Sequence, residues 1–319
     1  MGVARVLGVG FVLVVASLAG SASSGEASPA PHSSPAPGYW LVGDDGGVFA
    51  FDAPFEGSGA PTAGSSGLCP YAFGPTINIS AASLANSGQV VSDMNCVGIA
   101  GSQMSSGYWV ANFASLPSAF GSAAAPAPGQ FGCSGLNGAA AGWSGIAATP
   151  SGRGFLLVSG NGGVLGCGDA TPLGGVTSLR LAAPIAGIAS TPDGKGYWLV
   201  GTDGGVFAFG DAEFYGSMGG KVLNASIVGI AATPDGKGYW LAGGDGGVFS
   251  FGDATFFGSM GGQRLNQPIT GIAANPDGLG YWLVAADGGV FAFGGAPFEG
   301  SLGDTRLNAP VLGIAAAPN

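Results

Sequence analysis

The aspartates recur at fixed intervals. Asp193, Asp235 and Asp277 share one phase of the chain, Asp45, Asp203, Asp245 and Asp287 a second, and Asp52, Asp169, Asp211 and Asp253 a third. Carboxylates at repeating phase would stand in rings, and such a ring can hold a calcium ion or the hydroxyls of a polyol. Each set also occurs beside glycine, where an aspartate caps a tight turn with its own side chain. No dense D-x-D-x-D-G loop is present, so the turn reading outweighs the metal one, and neither a metal nor a cofactor is expected. Arg180, Arg264 and Arg306 share a further phase, each just before a leucine. They could grip an anion at one mouth of a channel, although pairing with the turn aspartates of the next repeat is the stronger expectation. The candidate ligand-binding residues are therefore Arg180, Arg264 and Arg306 with Asp203, Asp245 and Asp287. Trp40, Trp109, Trp198, Trp240 and Trp282 also recur, as core packing first and as sugar pockets second.

Other chemistry is excluded by what is missing. The single histidine, His32, lies in a Ser/Pro-rich stretch, which removes Ser-His-Asp and Cys-His catalysis and His-ligated zinc. Acidic residues outside the repeating phases are Asp44, Asp93, Glu56, Glu213, Glu299 and Asp304, and none has a context that marks a catalytic acid. No catalytic residue is assigned. A formal net charge of −10 disfavours nucleic acid and anionic membrane surfaces as partners.

The elements that must position these residues follow from an odd composition. Of 319 residues 65 are glycine and only 8% are charged, yet 46% are hydrophobic and 10% aromatic, too much apolar surface for a solvated coil. The cause is repetition: Gly-Ile-Ala recurs at Gly187, Gly229, Gly271 and Gly313, 42 residues apart, with further copies at Gly145 and Gly98. Gly-Tyr-Trp runs in step with it at Tyr39, Tyr108, Tyr197, Tyr239 and Tyr281, with Phe155 in the same phase. One unit breaks into VGIAA, GYWLAG, VFSF and TFFGSM, cut by Pro-Asp-Gly, Asp-Gly-Gly and Gly-Asp turns. Apolar runs of four to six residues joined by such turns are β-hairpins. Four strands per unit, repeated six times, predict an all-β chain forming a β-propeller of six four-stranded blades, with a seventh, degenerate blade compatible with the irregular first half. Phe207 and Phe209 are expected to face one neighbouring blade, Val206 and Ala208 the other.

The chain ends predict how the ring closes. The first Gly-Tyr-Trp has no Gly-Ile-Ala before it, and the last Gly-Ile-Ala has no Gly-Tyr-Trp after it. Val311 to Ala316 should therefore complete the blade begun at Gly38. Residues 1–22 read as a signal peptide, with one positive charge, an apolar run and small residues at Gly20-Ser21-Ala22. Residues 23–37 form a Ser/Pro-rich linker, and 38–319 are the propeller, with an insertion at about 59–97 and a Gly/Ala/Pro-rich excursion from Ala123 to Ala141. Four cysteines in an exported chain should pair. Cys69 with Cys96 would tie down the insertion, and Cys133 with Cys167 the excursion, Cys167 standing where a regular blade buries Phe209.

The unit TPDGKGYWLVGTDGGVFAFGDAEFYGSMGG, Thr191 to Gly220, resembles a repeat of exported actinobacterial proteins in which tandem copies form a propeller. Thr191-Pro192-Asp193-Gly194-Lys195 is more loosely similar to YVTN-type propeller repeats. Val206 to Phe209 resembles the repeats of quinoprotein dehydrogenases, without their adjacent cysteine pair. The resemblance implies fold and export and leaves activity open. The resulting expectation is a secreted or cell-surface, monomeric, non-enzymatic propeller that binds a protein or a surface and does not stay in the membrane after signal cleavage. A lectin-like binder of cell-wall glycan is the alternative, and an extracellular hydrolase with carboxylates at the channel mouth is a third reading.

Overall fold

Short β-branched and aromatic runs cut by glycine turns leave no room for a helix in the repeats, and among the described residues the computed structural model is all-β. It describes residues 37–45, 47–54, 96–101, 108–112, 117–120, 133 and 142–317. The leader and the linker up to Ala36, most of the insertion and most of the excursion lie outside them, as does Cys69 of the expected Cys69–Cys96 pair. The strands are β1 (Tyr39–Gly43), β2 (Val48–Phe51), β3 (Cys96–Gly101), β4 (Tyr108–Asn112), β5 (Ser118–Phe120), β6 (Trp143–Ala148), β7 (Phe155–Ser159), β8 (Val164–Cys167) and β9 (Ile185–Ser190). They continue as β10 (Gly196–Gly201), β11 (Val206–Gly210), β12 (Ile227–Ala232), β13 (Gly238–Gly243), β14 (Val248–Gly252), β15 (Ile269–Ala274), β16 (Gly280–Ala285), β17 (Val290–Gly294) and β18 (Val311–Ala316). Strand β3 starts at Cys96, just before the expected end of the insertion.

Among the described residues the strands form six antiparallel sheets of three, with the Gly-Tyr-Trp strand central in five and its Gly-Phe-Leu counterpart, β7, central in the sixth. Five of the sheets are continuous in sequence. The sixth joins β18 to β1 and β2, so the last strand completes the first sheet as the chain ends predict. Its register repeats that of the continuous sheets: Tyr39 faces Ala316 and Trp40 faces Ala315, as Tyr281 faces Ala274 and Trp282 faces Ala273. The Gly-Tyr-Trp strands β10, β13 and β16 are buried at every position, because apolar sheets cover both of their faces. Tyr197, Leu199, Phe207 and Phe209 pack toward β7 and β8, while Trp198, Val200, Val206 and Ala208 pack toward β12 and β13. The predicted alternation is present, although Phe209 is half-buried where Cys167 is fully buried.

Every apolar cluster joins two consecutive sheets. Trp40 meets Tyr108, Trp109 meets Phe155, Trp198 meets Tyr239 and Trp240 meets Tyr281, with ring centroids 5.1 to 6.0 Å apart. Trp282 of β16 meets Tyr39 of β1 at 5.4 Å, within a cluster that also holds Leu41 and Val311. The first strands of consecutive sheets approach closely: a Cβ on Gly145 would stand 3.1 Å from Gly187 Cα, and one on Gly271 3.3 Å from Gly313 Cα. This is why the Gly-Ile-Ala glycines recur.

Two expectations need correction. Where it is described, the fourth run of a unit is not a strand: Thr255 to Met260 and the counterparts at 171–176, 213–218 and 297–302 form irregular loops. Their backbone is held by side chains instead of a ladder. Trp198 Nε1 donates to Glu213 O at 2.8 Å from the loop's own sheet, and Tyr239 of the next sheet donates its hydroxyl to Gly216 O at 2.6 Å while accepting the Tyr215 N–H. Gly216 adopts φ 134 over the Phe251 ring, which a run of L side chains would not. The second correction concerns Asp52, which does not share a place with Asp169, Asp211 and Asp253. It has φ 43 and follows Phe51 as Gly210, Gly252 and Gly294, with φ 67 to 69, follow their own phenylalanines. One residue is missing after it, and aspartate is among the few non-glycine types that tolerate this conformation.

Candidate functional site

The recurring polar residues are occupied with the turns that carry them. At one end of the sheets the Thr191 hydroxyl accepts the Gly196 N–H and donates to Asp193 Oδ1, both at 2.9 Å, with Asp211 Oδ1 at 3.4 Å. Asp193 Oδ1 also accepts the Lys195 N–H, and Oδ2 pairs with the Lys195 ammonium at 3.1 Å. Asp235 repeats both contacts with Lys237. The backbone N–H of the lysine, more than its ammonium, holds each of these carboxyls at about 2. Asp253 is pushed up, first by desolvation and then by the neighbouring Asp235 carboxylate. In an earlier copy Thr149 and Ser151 both donate to Asp169.

At the opposite end Asp203, Asp245 and Asp287 each accept the N–H of their turn glycine, Gly205, Gly247 and Gly289, at 3.0 Å. Asp45 does the same with Gly47 at 2.9 Å. The aspartates are turn caps, as their position beside glycine predicts. The expected arginine–aspartate pairing is absent, since the two ion pairs among the described residues are those of Lys195 and Lys237. Arg180, Arg264 and Arg306 are exposed. All five recurring tryptophans are fully buried, which removes them as sugar pockets. Cys133 and Cys167 form the expected disulfide. Among the described residues no group of three or more His, Cys, Asp or Glu is placed to hold a metal ion, and no helix is long and apolar enough to cross a membrane.

Two cavities among the described residues bear on the site. One, of about 470 Å3, is lined by Ser144 of β6, Val228 of β12, Thr270 of β15 and Leu312 of β18, with Ser226 and Pro268 nearby. Two of its hydroxyls are used within the sheets: Ser144 donates to Val158 O at 3.2 Å and Thr270 to Val284 O at 3.3 Å. It presents no carboxylate and no cation.

The other cavity, a groove of about 550 Å3, lies where the connection from β14 to β15 passes the β16–β17 turn. Of the six candidate ligand-binding residues, Arg264 and Asp287 line it together; Arg180, Arg306, Asp203 and Asp245 do not. Asn266, Gln267, Asp304 and Phe298 join them. Phe298 is 59% exposed, and its counterparts Phe256 and Phe214 are 56% and 57% exposed. These phenyls were the missed residues; their signal was an aromatic in the run that pairs with no other strand. The chain matches no protein-family model and no curated protein.

Proposed function

We propose that the chain is an exported six-bladed β-propeller that acts as a non-enzymatic, monomeric binding module outside the cell, in the manner of the exported actinobacterial repeats it resembles. Support for the ring comes from the order of contacts: each sheet's cluster joins the next, the one around Trp282 returns to Tyr39, and the first strands run from β3 through β18 and back to β3. A cavity touched by β6, β12, β15 and β18 is what the central channel of such a ring would present. The Cys133–Cys167 disulfide and the leader-like residues 1–22 support export.

The observation that carries the binding reading is the division of labour among polar groups. The recurring aspartates, threonines and lysines are bonded within their own turns, and the channel-like cavity holds no acid. What is left for function is a surface groove with exposed aromatic and polar side chains, which suits recognition. Its partner is a protein or a cell-wall glycan. The test is co-sedimentation of the labelled full chain with isolated cell envelopes, before and after protease or periodate treatment. Saturable binding without release of envelope fragments supports the module. Failure to sediment, or turnover of the envelope, overturns it.

A further inference from the structure

The groove at the β14–β15 connection has counterparts one and two units earlier in the chain. Asp287, Gly289, Val290, Phe291, Phe298 and Ser301 recur at both as Asp245, Gly247, Val248, Phe249, Phe256 and Ser259, then Asp203, Gly205, Val206, Phe207, Phe214 and Ser217. These form the frame, and the turn and core explain their recurrence. Arg264, Asn266, Gln267 and Asp304 behave differently. One unit earlier their places are taken by Val222, Asn224, Ala225 and Gly262, and two units earlier by Arg180, Ala182, Ala183 and Gly220. Val222 is 99% exposed, so the fold makes no demand on the side chain there. Arg264, at a place where the fold makes no demand, and Asn266 therefore meet Gln267 and Asp304, which recur in neither earlier unit, at one junction around an exposed phenyl.

We propose that this groove is a saccharide-binding site that takes a neutral glycan, an inference that rests on the binding-module reading. One guanidinium stands against two carboxylates, and Asp287 already uses one oxygen on the Gly289 N–H. That balance does not select a strongly charged ligand. Asn266 and Gln267 each offer both donors and acceptors, as the hydroxyl rim of a sugar requires, and Asp304 accepts hydroxyl protons. Phe298 supplies a flat apolar surface for the C–H face of the ring. The volume falls within the ~300–1,000 Å3 common for small-molecule sites.

The test uses residues the chain itself tolerates at equivalent places. The labelled full chain is applied to an array of neutral oligosaccharides beside a peptide array, and any retained sugar is titrated calorimetrically. One site per chain is expected. The triple variant Arg264→Val, Gln267→Ala, Asp304→Gly, which copies the preceding junction, should keep its melting temperature and weaken binding by more than ~10-fold, the loss of at least one hydrogen bond's worth of affinity. Asn224→Ala and Phe256→Ala at the preceding junction should leave binding unchanged. Retention of no neutral glycan, preference for peptides, or full affinity in the triple variant overturns the site. Envelope binding that survives in the triple variant would remove this site and leave the module standing. A parent chain that never sediments with envelopes would remove the module itself.

Discussion

The sheet of β18, β1 and β2 is assembled from the two ends of the chain, while the sheet of β15, β16 and β17 is one continuous stretch. Their registers agree residue for residue, and both carry a bulge at the end of the central strand, between Val42 and Gly43 in one and opposite Ile269 and Gly271 in the other. The loop before each sheet is held in the same way: Tyr39 accepts the Glu299 N–H as Tyr281 accepts the Phe257 N–H. Register is thus a property of the residues in each unit and does not depend on the short turn that joins strands elsewhere. A sheet without its local turn forms because both of its faces are covered, by Trp282 on one side and Tyr108 on the other.

The largest expected effect breaks that comparison outright. Deleting residues 309–319 removes β18 from the split sheet and uncovers β1, and the chain should lose its single cooperative thermal transition; an unchanged melting curve would show the two ends to be independent. Next come the tryptophans. Trp240→Ala lies between two continuous sheets and Trp282→Ala borders the split one, and each should cost about 3–5 kcal/mol in chemical denaturation. A much smaller loss for Trp282 would mean that the split sheet is loosely held.

A smaller effect of opposite sign is expected at Asn275. It occupies the place of Thr149, Thr191 and Thr233, is 1% exposed, and neither amide atom has a hydrogen-bond partner. The aspartate found one strand away in the other units is Gly295 here. Asn275→Thr replaces an unsatisfied amide with a hydroxyl that can reach the Gly280 backbone, and should stabilise the chain by about 1 kcal/mol. The smallest effect is electrostatic. Asp253 is raised above its unfolded value, so its contribution favours the fold at low pH and is lost as pH rises through the folded pKa. Asp235, lowered to about 2, works the other way: its contribution is present above the unfolded value near ~3.9 and fades as pH falls toward 2. Asp253→Asn should therefore gain on the parent as pH rises from 3 to 7, by no more than about 0.5 kcal/mol at so exposed a site. Equal melting temperatures at both pH values would contradict the carboxylate contact.

How much of this was legible in the sequence depends on whether a residue's reason to be there is local. The three strands of each unit and the aspartate caps were legible, because alternation and Asp-Gly turns act over a few residues. The β18–β1 pairing was legible from the unmatched markers at the chain ends. The fourth run read as a strand because its aromatics look like strand residues; the tyrosine hydroxyl that captures Gly216 comes from the next unit and leaves no local mark. Asp52 was assigned one place too far along because a single missing residue is invisible until the φ of its neighbours is known. The groove was half legible. Arg264 and Asp287 stood out by recurring, whereas Gln267 and Asp304 matter because they do not recur, and only their convergence in space separates them from ordinary surface variation.

The most direct measurement is hydrogen exchange on the full chain, comparing backbone amides of β1 and β18 with those of β16 and β15. If the two chain ends complete a sheet equivalent to the others, amides paired between Leu41 and Ile314 should exchange on the same timescale as those paired between Leu283 and Ile272. Exchange in β1 and β18 at the rate of fraying termini, with β15 and β16 still protected, would contradict the closed arrangement.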